Sequence, residues 1–223
     1  MPEPMIDVFS RRSDRFRLLD AACLRADWTA GLALLECACA YGDATAHMAE
    51  QGFDVTAVDL DGRLVAEAIK RHGERNCRFL AANVTDLPFD EESFDGLYSE
   101  AGFSVLTDKS VALREYRRVL RRGSRIIIND FARRDETEAP ANTGIPCMDG
   151  ALTIAGYTEL FASAGFAAVE TKEDFIEFAK ILKLLSKEYD TSPGEAGGFL
   201  TKSFGSGKAA PRLTYCTMIF EKT

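Results

Sequence analysis

The sequence predicts an α/β fold in which a doubly wound sheet carries helices on both faces. The first observation is residues 32–62, where an apolar run, a tight turn, a helical stretch and a β-branched run ending in Asp59 follow one another. The second is that apolar runs of strand length and amphipathic runs of helix length go on alternating to about residue 172. Such alternation is typical of parallel strands joined by crossover helices.

The length and charge of the chain favour one domain that acts on a small molecule. A chain of 223 residues suits a single α/β domain, which can bury roughly 70% of its unfolded surface. The net charge of −8 argues against nucleic acid as a partner. No apolar run approaches the roughly 20 residues of a membrane span, and the charged start does not resemble a signal peptide. We therefore expect a cytoplasmic protein without a membrane partner; the oligomeric state stays open.

Six cysteines without paired spacing indicate reduced thiols rather than a disulfide framework. Cys37 and Cys39 form a C-x-C pair that could either bind a metal or pack as two small core residues. The sequence has no second Cys/His pair at zinc spacing, so core packing is favoured and no metal site is predicted.

Each further element is predicted from its own periodicity. Residues 1–29 are interpreted as a helical cap, because Leu19, Ala22, Cys23 and Ala26 recur at helical spacing. Helical spacing also marks residues 43–51, 61–71, 112–120 and 156–165, and strands are predicted at 32–37, 55–58, 77–81, 93–98, 126–128, 166–171 and 213–220. The arginine-rich stretch 114–125 is interpreted as a solvated helix face rather than a nucleic-acid patch.

The turn after the first strand discriminates between two classes of cofactor. A dinucleotide fingerprint G-x-G-x-x-G would need glycines at positions 38, 40 and 43, where the chain has Ala38, Ala40 and Asp43. An NAD-type reductase is therefore disfavoured. The alternative pattern, acidic-x-G-x-G-x-G, finds Glu36 in the acidic place and Gly42 in the last glycine place.

Three motifs in this order resemble those of the class I S-adenosylmethionine (SAM) methyltransferases. The turn 36–42 is the first. The second is Leu87-Pro88-Phe89 followed by Phe94-Asp95, with Asn83 where the family has an acidic residue. The third is the segment 118–128, which is similar to the family's R-V-L-K-P-G-G segment before strand five. The most similar branch is the ubiquinone/menaquinone-biosynthesis type, with local similarity to the arsenite methyltransferases.

The resemblance implies a Rossmann-like sheet of seven strands in the order 3-2-1-4-5-7-6, with strand seven antiparallel. Residues 30–172 and 212–222 would form its core, and 173–211 would be an insertion. The implied cofactor is SAM, with S-adenosylhomocysteine as its product, and the implied acceptor is a small molecule. A binding module of the same fold with weakened or lost catalysis is the alternative, motivated by Ala38, Ala40 and Asn83.

The resemblance also assigns the contacts that would hold the cofactor. Asp59 would accept hydrogen bonds from both ribose hydroxyls, and Glu36 would reach the methionine ammonium. The remaining predicted cofactor contacts are Ala38, Ala40, Tyr41 and Gly42 in the turn, Leu60 and Val84 on the two faces of the adenine, Asn83 at the adenine amino group, and Ser99 beside the methyl group.

The two alanines leave an alternative open. At negative φ their methyl groups would matter only by crowding the cofactor, whereas positive φ would cost of order 1 kcal/mol of strain. Asp59 has an alternative too, as the N-cap of the helix that follows it.

Methyl transfer by in-line displacement needs few catalytic residues, because approach and alignment supply most of the rate. Glu100, just past strand four, is the candidate base or anchor for a cationic substrate; the alternative is a loop-end acid paired with an arginine. Cys147 is the second candidate, because Cys147-Met148-Asp149-Gly150-Ala151-Leu152 resembles the C-x-x-G-A-L segment of arsenite methyltransferases. A single thiolate is a poor site for trivalent arsenic, so this metalloid reaction is the lesser alternative.

The insertion 173–211 is expected to cover the active site. Its first part carries an apolar stripe at helical spacing, formed by Phe175, Phe178, Leu182, Leu185 and Tyr189. We expect helix 175–189 to lie across the opening and residues 190–210 to act as a lid. The alternative is that the helix covers a sheet edge.

Overall fold

The computed structural model describes residues 3–134, 145–188 and 213–223, which form one seven-stranded sheet with helices around it. The strands are β1 (Ala33–Cys37), β2 (Asp54–Asp59), β3 (Cys77–Ala81), β4 (Phe94–Glu100), β5 (Leu120–Arg133), β6 (Phe166–Glu173) and β7 (Leu213–Lys222). The helices are α1 (Glu3–Ser10), α2 (Arg17–Arg25), α3 (Asp43–Glu50), α4 (Gly62–His72), α5 (Lys109–Val119), α6 (Pro146–Asp149), α7 (Ile154–Ser163) and α8 (Phe175–Glu188).

The sheet has the predicted topology. Its strand order is β3-β2-β1-β4-β5-β7-β6. The first five strands pair in parallel, whereas β7 runs antiparallel to both β5 and β6. The carboxyl ends of β1, β2 and β4 therefore meet at one edge, where open α/β sheets bind their ligands.

The central strands are buried on both faces, which explains why they read as continuous apolar runs. Successive side chains of a strand point to opposite faces. Leu35 and Ile128 accordingly pack in a cluster with residues of α5 and α7, whereas Leu34 and Ile127 pack in a second cluster with residues of α2 and α3. The two clusters pack the helices against the two faces of the sheet.

A third apolar cluster joins the N-terminal segment to the carboxyl end of the sheet. It includes Phe9 near the end of α1, Phe131 of β5, Ile181 of α8 and Tyr215 of β7. The rings of Phe131 and Tyr215 meet edge to face with their centroids 5.1 Å apart, a favourable aromatic geometry. Helices α1 and α8 are thus packed against each other beside the edge where β4 ends.

The apolar stripe predicted for α8 is only partly right. Phe178 and Leu182 pack against the third cluster and Ile181 is fully buried, whereas the Phe175 ring is 58% exposed beneath the guanidinium of Arg134. The side chain of Leu185, residue Tyr189 and the predicted lid 190–210 lie outside the described residues. The helix contacts α1 and β7, and its role as a cover stays a prediction.

The N-terminus of α4 is capped by Asp61, which excludes the alternative role of Asp59 as the capping residue. The Asp61 carboxylate accepts a hydrogen bond from the Arg63 N–H at 2.9 Å, which is the usual N-cap interaction. Asp61 is therefore the capping residue, and Asp59 is left for another role.

Among the helices of the described segments, none combines the length and apolar character required to cross a membrane.

Candidate cofactor site and reaction centre

A cleft with two lobes lies over the carboxyl ends of β1, β2 and β4. The wide lobe has a volume of about 500 Å³ and extends towards Asp59 and Leu60 after β2 and Asn83 after β3. The narrow lobe has a volume of about 70 Å³ and extends towards Glu36 and the N-terminal segment. The two lobes share four lining residues, namely Ile6, Ala38, Ala40 and Glu100.

The turn between the lobes has a left-handed backbone at every predicted glycine place. The φ angles are 62° at Ala38, 49° at Ala40 and 74° at Gly42. L-residues pay roughly 1–2 kcal/mol in this region, so the two alanines are strained rather than merely crowded. Gly42 tolerates no side chain, because a Cβ there would collide with the ring of Phe79. The positive-φ alternative is the correct one.

The Asp59 carboxylate is already oriented by the turn. Its Oδ2 accepts a hydrogen bond from the Ala40 N–H at 2.9 Å, and its Oδ1 accepts one from the Asp61 N–H at 3.0 Å. An ionised carboxylate has about four acceptor sites, so two accepted bonds leave room for two more donors. Asp59 lines the wide lobe and can receive a pair of vicinal hydroxyls there.

Apolar side chains flank Asp59 in the wide lobe. Leu60 is 75% exposed although it is a large hydrophobic residue, and Val84 is buried in the wall of the same lobe. Two such side chains suit the faces of a flat ring. Asn83 also lines this lobe, but its Oδ1 accepts a hydrogen bond from the Thr85 N–H at 3.0 Å. Only the remaining lone pair of that oxygen is available to an adenine amino group.

Glu36 is a buried acid at the end of β1. It is 3% exposed, and the Thr45 hydroxyl donates a hydrogen bond to its Oε2. Burial raises the pKa of Glu36 to about 8; the bond from Thr45 opposes the rise, and the charges of Glu100, Asp43 and Asp59 add to it. A cation in the narrow lobe would relieve this penalty by pairing with the ionised form.

Two other predicted contacts differ in their access to the cleft. Tyr41 lines the narrow lobe, and the guanidinium of Arg71 lies 4.1 Å from its ring centroid. Ser99 is 1% exposed and lines neither lobe. Its Oγ has no hydrogen-bond partner within the described segments and lies beneath Gly102, where an added Cβ would come within 2.9 Å of it. Ser99 therefore supports the floor of the cleft rather than its surface.

Glu100 is paired with an arginine, as the alternative reading held. Its Oε1 accepts hydrogen bonds from Arg12 Nη2 at 2.6 Å and from the Tyr215 hydroxyl at 3.2 Å. Arg12 also donates through Nη1 to Glu177 Oε1 at 2.9 Å and through Nε to the Phe9 carbonyl at 3.1 Å. The Arg12 side chain is only 1% exposed, so this is a buried cluster with an arginine between two carboxylates.

Burial by itself would lower the pKa of Arg12, but Glu100, Tyr215 and Glu177 together raise it, so the guanidinium stays charged. Sequence reasoning missed Arg12, Tyr215 and Glu177. None of the three belongs to a motif, and each comes from a segment distant in the chain from Glu100, so no local signal could have found them.

Cys147 lies in the protein core. It is fully buried in α6 within the third apolar cluster, and it lines neither lobe of the cleft. Burial, together with the charge of Asp130, raises the pKa of its thiol well above the usual value. Because the thiolate is the metal-binding form, this environment favours packing over metalloid chemistry.

Comparison with known proteins shows similarity to methyltransferases. The family described as "Methyltransferase domain" matches residues 35–128. Demethylmenaquinone methyltransferase of Clavibacter sepedonicus is 35% identical over 104 residues, which cover 46% of this chain and 42% of that protein. O-methyltransferase resE of Aspergillus sclerotiorum is 27% identical over 206 residues, covering 87% and 77%. The chain spans 36–51% of the length of several curated relatives, including the first.

Solved structures share the fold at low sequence identity. Phosphoethanolamine N-methyltransferase 2 of Haemonchus contortus, crystallised with SAM, superposes with a TM-score of 0.73 at 18% identity, covering 92% of this chain and 52% of that one. Geranyl diphosphate C-methyltransferase of Streptomyces coelicolor gives 0.73 at 15% identity, covering 93% and 80%. The cyclase SpnF also gives 0.73, at 20% identity over 93% and 80%. At these identities the likeness concerns the fold.

The three motifs, the strand order and the family match agree with one another. Residues 35–128 match a methyltransferase domain, and the chain is similar there to demethylmenaquinone and ubiquinone/menaquinone-biosynthesis methyltransferases.

Proposed function

We propose that this protein transfers a methyl group from SAM to a small-molecule acceptor by in-line displacement. The observation that carries the proposal is that the carboxylates of Asp59 and Glu36 line the two lobes of one cleft. The Asp59 carboxylate lines the wide lobe with acceptor capacity to spare, and the buried Glu36 lines the narrow lobe. SAM carries a ribose diol in its nucleoside half and an ammonium in its methionine half, which matches these two carboxylates in chemistry and in order.

The residues of the wide lobe would hold the nucleoside. Asp59 would accept from the two ribose hydroxyls, and Leu60 and Val84 would pack on the faces of the adenine. Asn83 would contribute one weak contact, since its amide oxygen already accepts from Thr85. Gly102 lines the same lobe, and an added Cβ there would lie 2.5 Å from the Cβ of Ala38, so this stretch of floor admits only glycine.

The residues of the narrow lobe would hold the amino-acid end. Glu36 would ionise when it pairs with the ammonium, which removes the burial penalty that raises its pKa. Tyr41 would border this end of the cofactor. When bound, SAM supplies the activated methyl group and its own leaving group, so the protein needs mainly to align the acceptor and to exclude water.

Glu100 would act on the acceptor side as an anchor. It lines both lobes, and its Oε1 already accepts hydrogen bonds from Arg12 and Tyr215, which fix the carboxylate in place. A carboxylate held in this way suits the orientation of a donor group or a cation on the acceptor better than proton abstraction. The buried Cys147 has no part in this proposal.

Titration calorimetry with SAM, S-adenosylhomocysteine and NAD tests the proposed function, followed by a screen of small-molecule acceptors for release of S-adenosylhomocysteine. We expect both sulfur compounds to bind and NAD to fail. Binding of NAD in preference to SAM would overturn the proposal. Binding of SAM without turnover on any acceptor would instead favour a binding module of the same fold.

A further inference from the structure

The loop between β4 and α5 forms one wall of the wide lobe. The cleft-facing residues of this loop are Ala101, Gly102, Val105, Leu106, Thr107 and Asp108. Phe103 and Ser104 point the other way and are 0% and 1% exposed. The loop therefore has a face towards the ligand and a face towards the protein, and the second determines where the first lies.

Asp130 of β5 holds the protein-facing side of this loop. Its Oδ2 accepts a hydrogen bond from the Ser104 N–H at 2.8 Å, and its Oδ1 accepts one from the Ser104 hydroxyl at 2.6 Å. The same Oδ1 accepts from the Phe131 N–H at 2.8 Å. Asp130 is fully buried, and it lines neither lobe of the cleft. The Asp130 carboxylate thus accepts hydrogen bonds from both the N–H and the hydroxyl of Ser104.

Three further contacts hold Ser104 and its neighbour Phe103 in this part of the loop. Gly150 lies against it so closely that an added Cβ would collide with the Ser104 carbonyl oxygen. The Lys109 ammonium donates to the carbonyls of Ser104 and Leu106, both at 2.8 Å. The Phe103 ring packs 5.1 Å from the ring of Phe161. These contacts add to those of Asp130 in fixing the protein-facing side of the loop.

A buried carboxylate contributes little net stability to a fold, because its desolvation offsets the interactions that it gains. Apolar residues of similar size often stabilise as well or better. Burial is also the main cause that raises the pKa of Asp130, to about 7. A group that is costly in isolation but satisfied by three directional hydrogen bonds is better suited to fixing a position than to adding stability.

We propose that Asp130 is a positioning residue for cofactor binding, which acts through Ser104 on the loop that walls the wide lobe. The inference rests on the proposed function, because it assigns the nucleoside of SAM to that lobe. It differs from a stabilising role in one measurable respect. The wall would contact the nucleoside, so the affinity for any ligand that carries this part should depend on Asp130.

The test is calorimetry with two ligands, SAM and methylthioadenosine, which lacks the amino-acid end. Asp130→Asn keeps the size of the side chain but turns an amide N–H₂ towards one of the Ser104 donors. We expect both affinities to fall by about tenfold, the equivalent of one hydrogen bond. Asp95→Asn is the matched control, because Asp95 also accepts from a backbone N–H, that of Ala33 at 2.8 Å, but at the opposite end of the sheet. It should leave both affinities unchanged.

A second pair of variants keeps the test decisive if Asp130→Asn does not fold. Ser104→Ala removes only the hydroxyl donor, whereas Ser104→Thr retains it. We expect Ser104→Ala to weaken both ligands severalfold and Ser104→Thr to bind more tightly than Ser104→Ala. Wild-type affinities in folded Asp130→Asn, or equal affinities in the two Ser104 variants, would overturn the inference alone. Failure of the wild-type protein to bind either ligand would overturn the proposed function and this inference with it.

Discussion

The Arg12 guanidinium donates to the Glu100 carboxylate across 2.6 Å, although the two residues are 88 positions apart in the chain. The contact brings the segment between α1 and α2 to the proposed reaction centre at the end of β4. Because Arg12 also donates to Glu177 of α8, three separate parts of the chain meet at one buried guanidinium. The N-terminal residues are therefore part of the proposed site rather than a simple cover over the sheet.

Removal of the Arg12 charge should destabilise the fold strongly. Arg12→Ala leaves Glu177 buried and without its closest cation, and loss of one partner of a buried pair costs about 3–5 kcal/mol. Urea unfolding measures the change. Lys70→Ala is the control, because Lys70 pairs with Glu67 on the exposed face of α4, where an ion pair contributes less than about 1 kcal/mol. Equal effects in the two variants would show that the burial of the Arg12 cluster adds nothing.

Glu100→Gln should lower turnover and leave cofactor affinity nearly unchanged. The amide keeps an oxygen for Arg12 and Tyr215 but loses the negative charge offered to the acceptor. We expect kcat to fall by about 10- to 100-fold, the range for a charge-assisted hydrogen bond. Steady-state kinetics with the acceptor found by screening, together with SAM calorimetry, separates the two quantities. A parallel loss of SAM affinity would assign Glu100 to cofactor binding or to structure.

Asp59→Ala should weaken SAM binding by about 1.5–3 kcal/mol, the range for hydrogen bonds to a charged group. Thr153→Ala is the control, since Thr153 caps α7 through the Gly156 N–H and lines neither lobe of the cleft. It should reduce stability by about 1 kcal/mol and leave SAM affinity close to that of the wild type. Calorimetry and thermal unfolding measure the two effects, and an unchanged affinity in Asp59→Ala would remove the ribose assignment.

Ala40→Gly should stabilise the protein by about 0.5–1 kcal/mol, because glycine adopts the observed φ of 49° without strain. Relief of this turn should also tighten SAM binding slightly. Ala46→Gly, in the middle of α3, should have the opposite sign and destabilise by about 1 kcal/mol. Urea unfolding of both variants provides the comparison. Destabilisation by Ala40→Gly as well would mean that the alanine methyl group contributes more than its strain costs.

The pKa of Glu36 predicts how stability and binding depend on pH. Its folded-state pKa of about 8 lies above the ordinary value of 4.5, so between these limits the folded state holds a proton that the unfolded state releases. Stability should therefore fall as pH rises through this window, by up to about 1.4 kcal/mol per pH unit. Glu36→Gln should flatten this dependence. Asp130 titrates in the same direction, but it is present in both proteins and cancels in the difference.

SAM affinity should change with the opposite sign. The cofactor ammonium pairs with ionised Glu36, so wild-type affinity should rise by about 10- to 100-fold between pH 6 and pH 8. Calorimetry at the two pH values checks this against Glu36→Gln, which should show a much smaller rise. A flat wild-type profile would contradict the assignment of Glu36 to the ammonium.

The predicted site residues that the structure brings together in one cleft lie within single motifs. Asp59 directly ends a strand and Glu36 opens a turn, so their approach to each other follows from two neighbouring parallel strands. The residues of the Glu100 cluster come from distant parts of the chain. Tyr215 is 115 residues from Glu100, and Glu177 is 165 residues from its partner Arg12. No spacing rule connects such residues, because only the packing of distant helices and strands brings them together.

The sequence by itself determined a doubly wound α/β sheet, because hydrophobic periodicity and turn chemistry act over a few residues and are written directly in the chain. The strand order and the class of cofactor followed from the resemblance of its three motifs to a known family. Only the tertiary structure decided the left-handed backbone at Ala38 and Ala40, the burial of Cys147 and the ion pair of Glu100. Backbone angles in a tight turn, solvent exclusion and charge pairing each depend on which remote segments close around a residue, and that is a property of the folded chain alone.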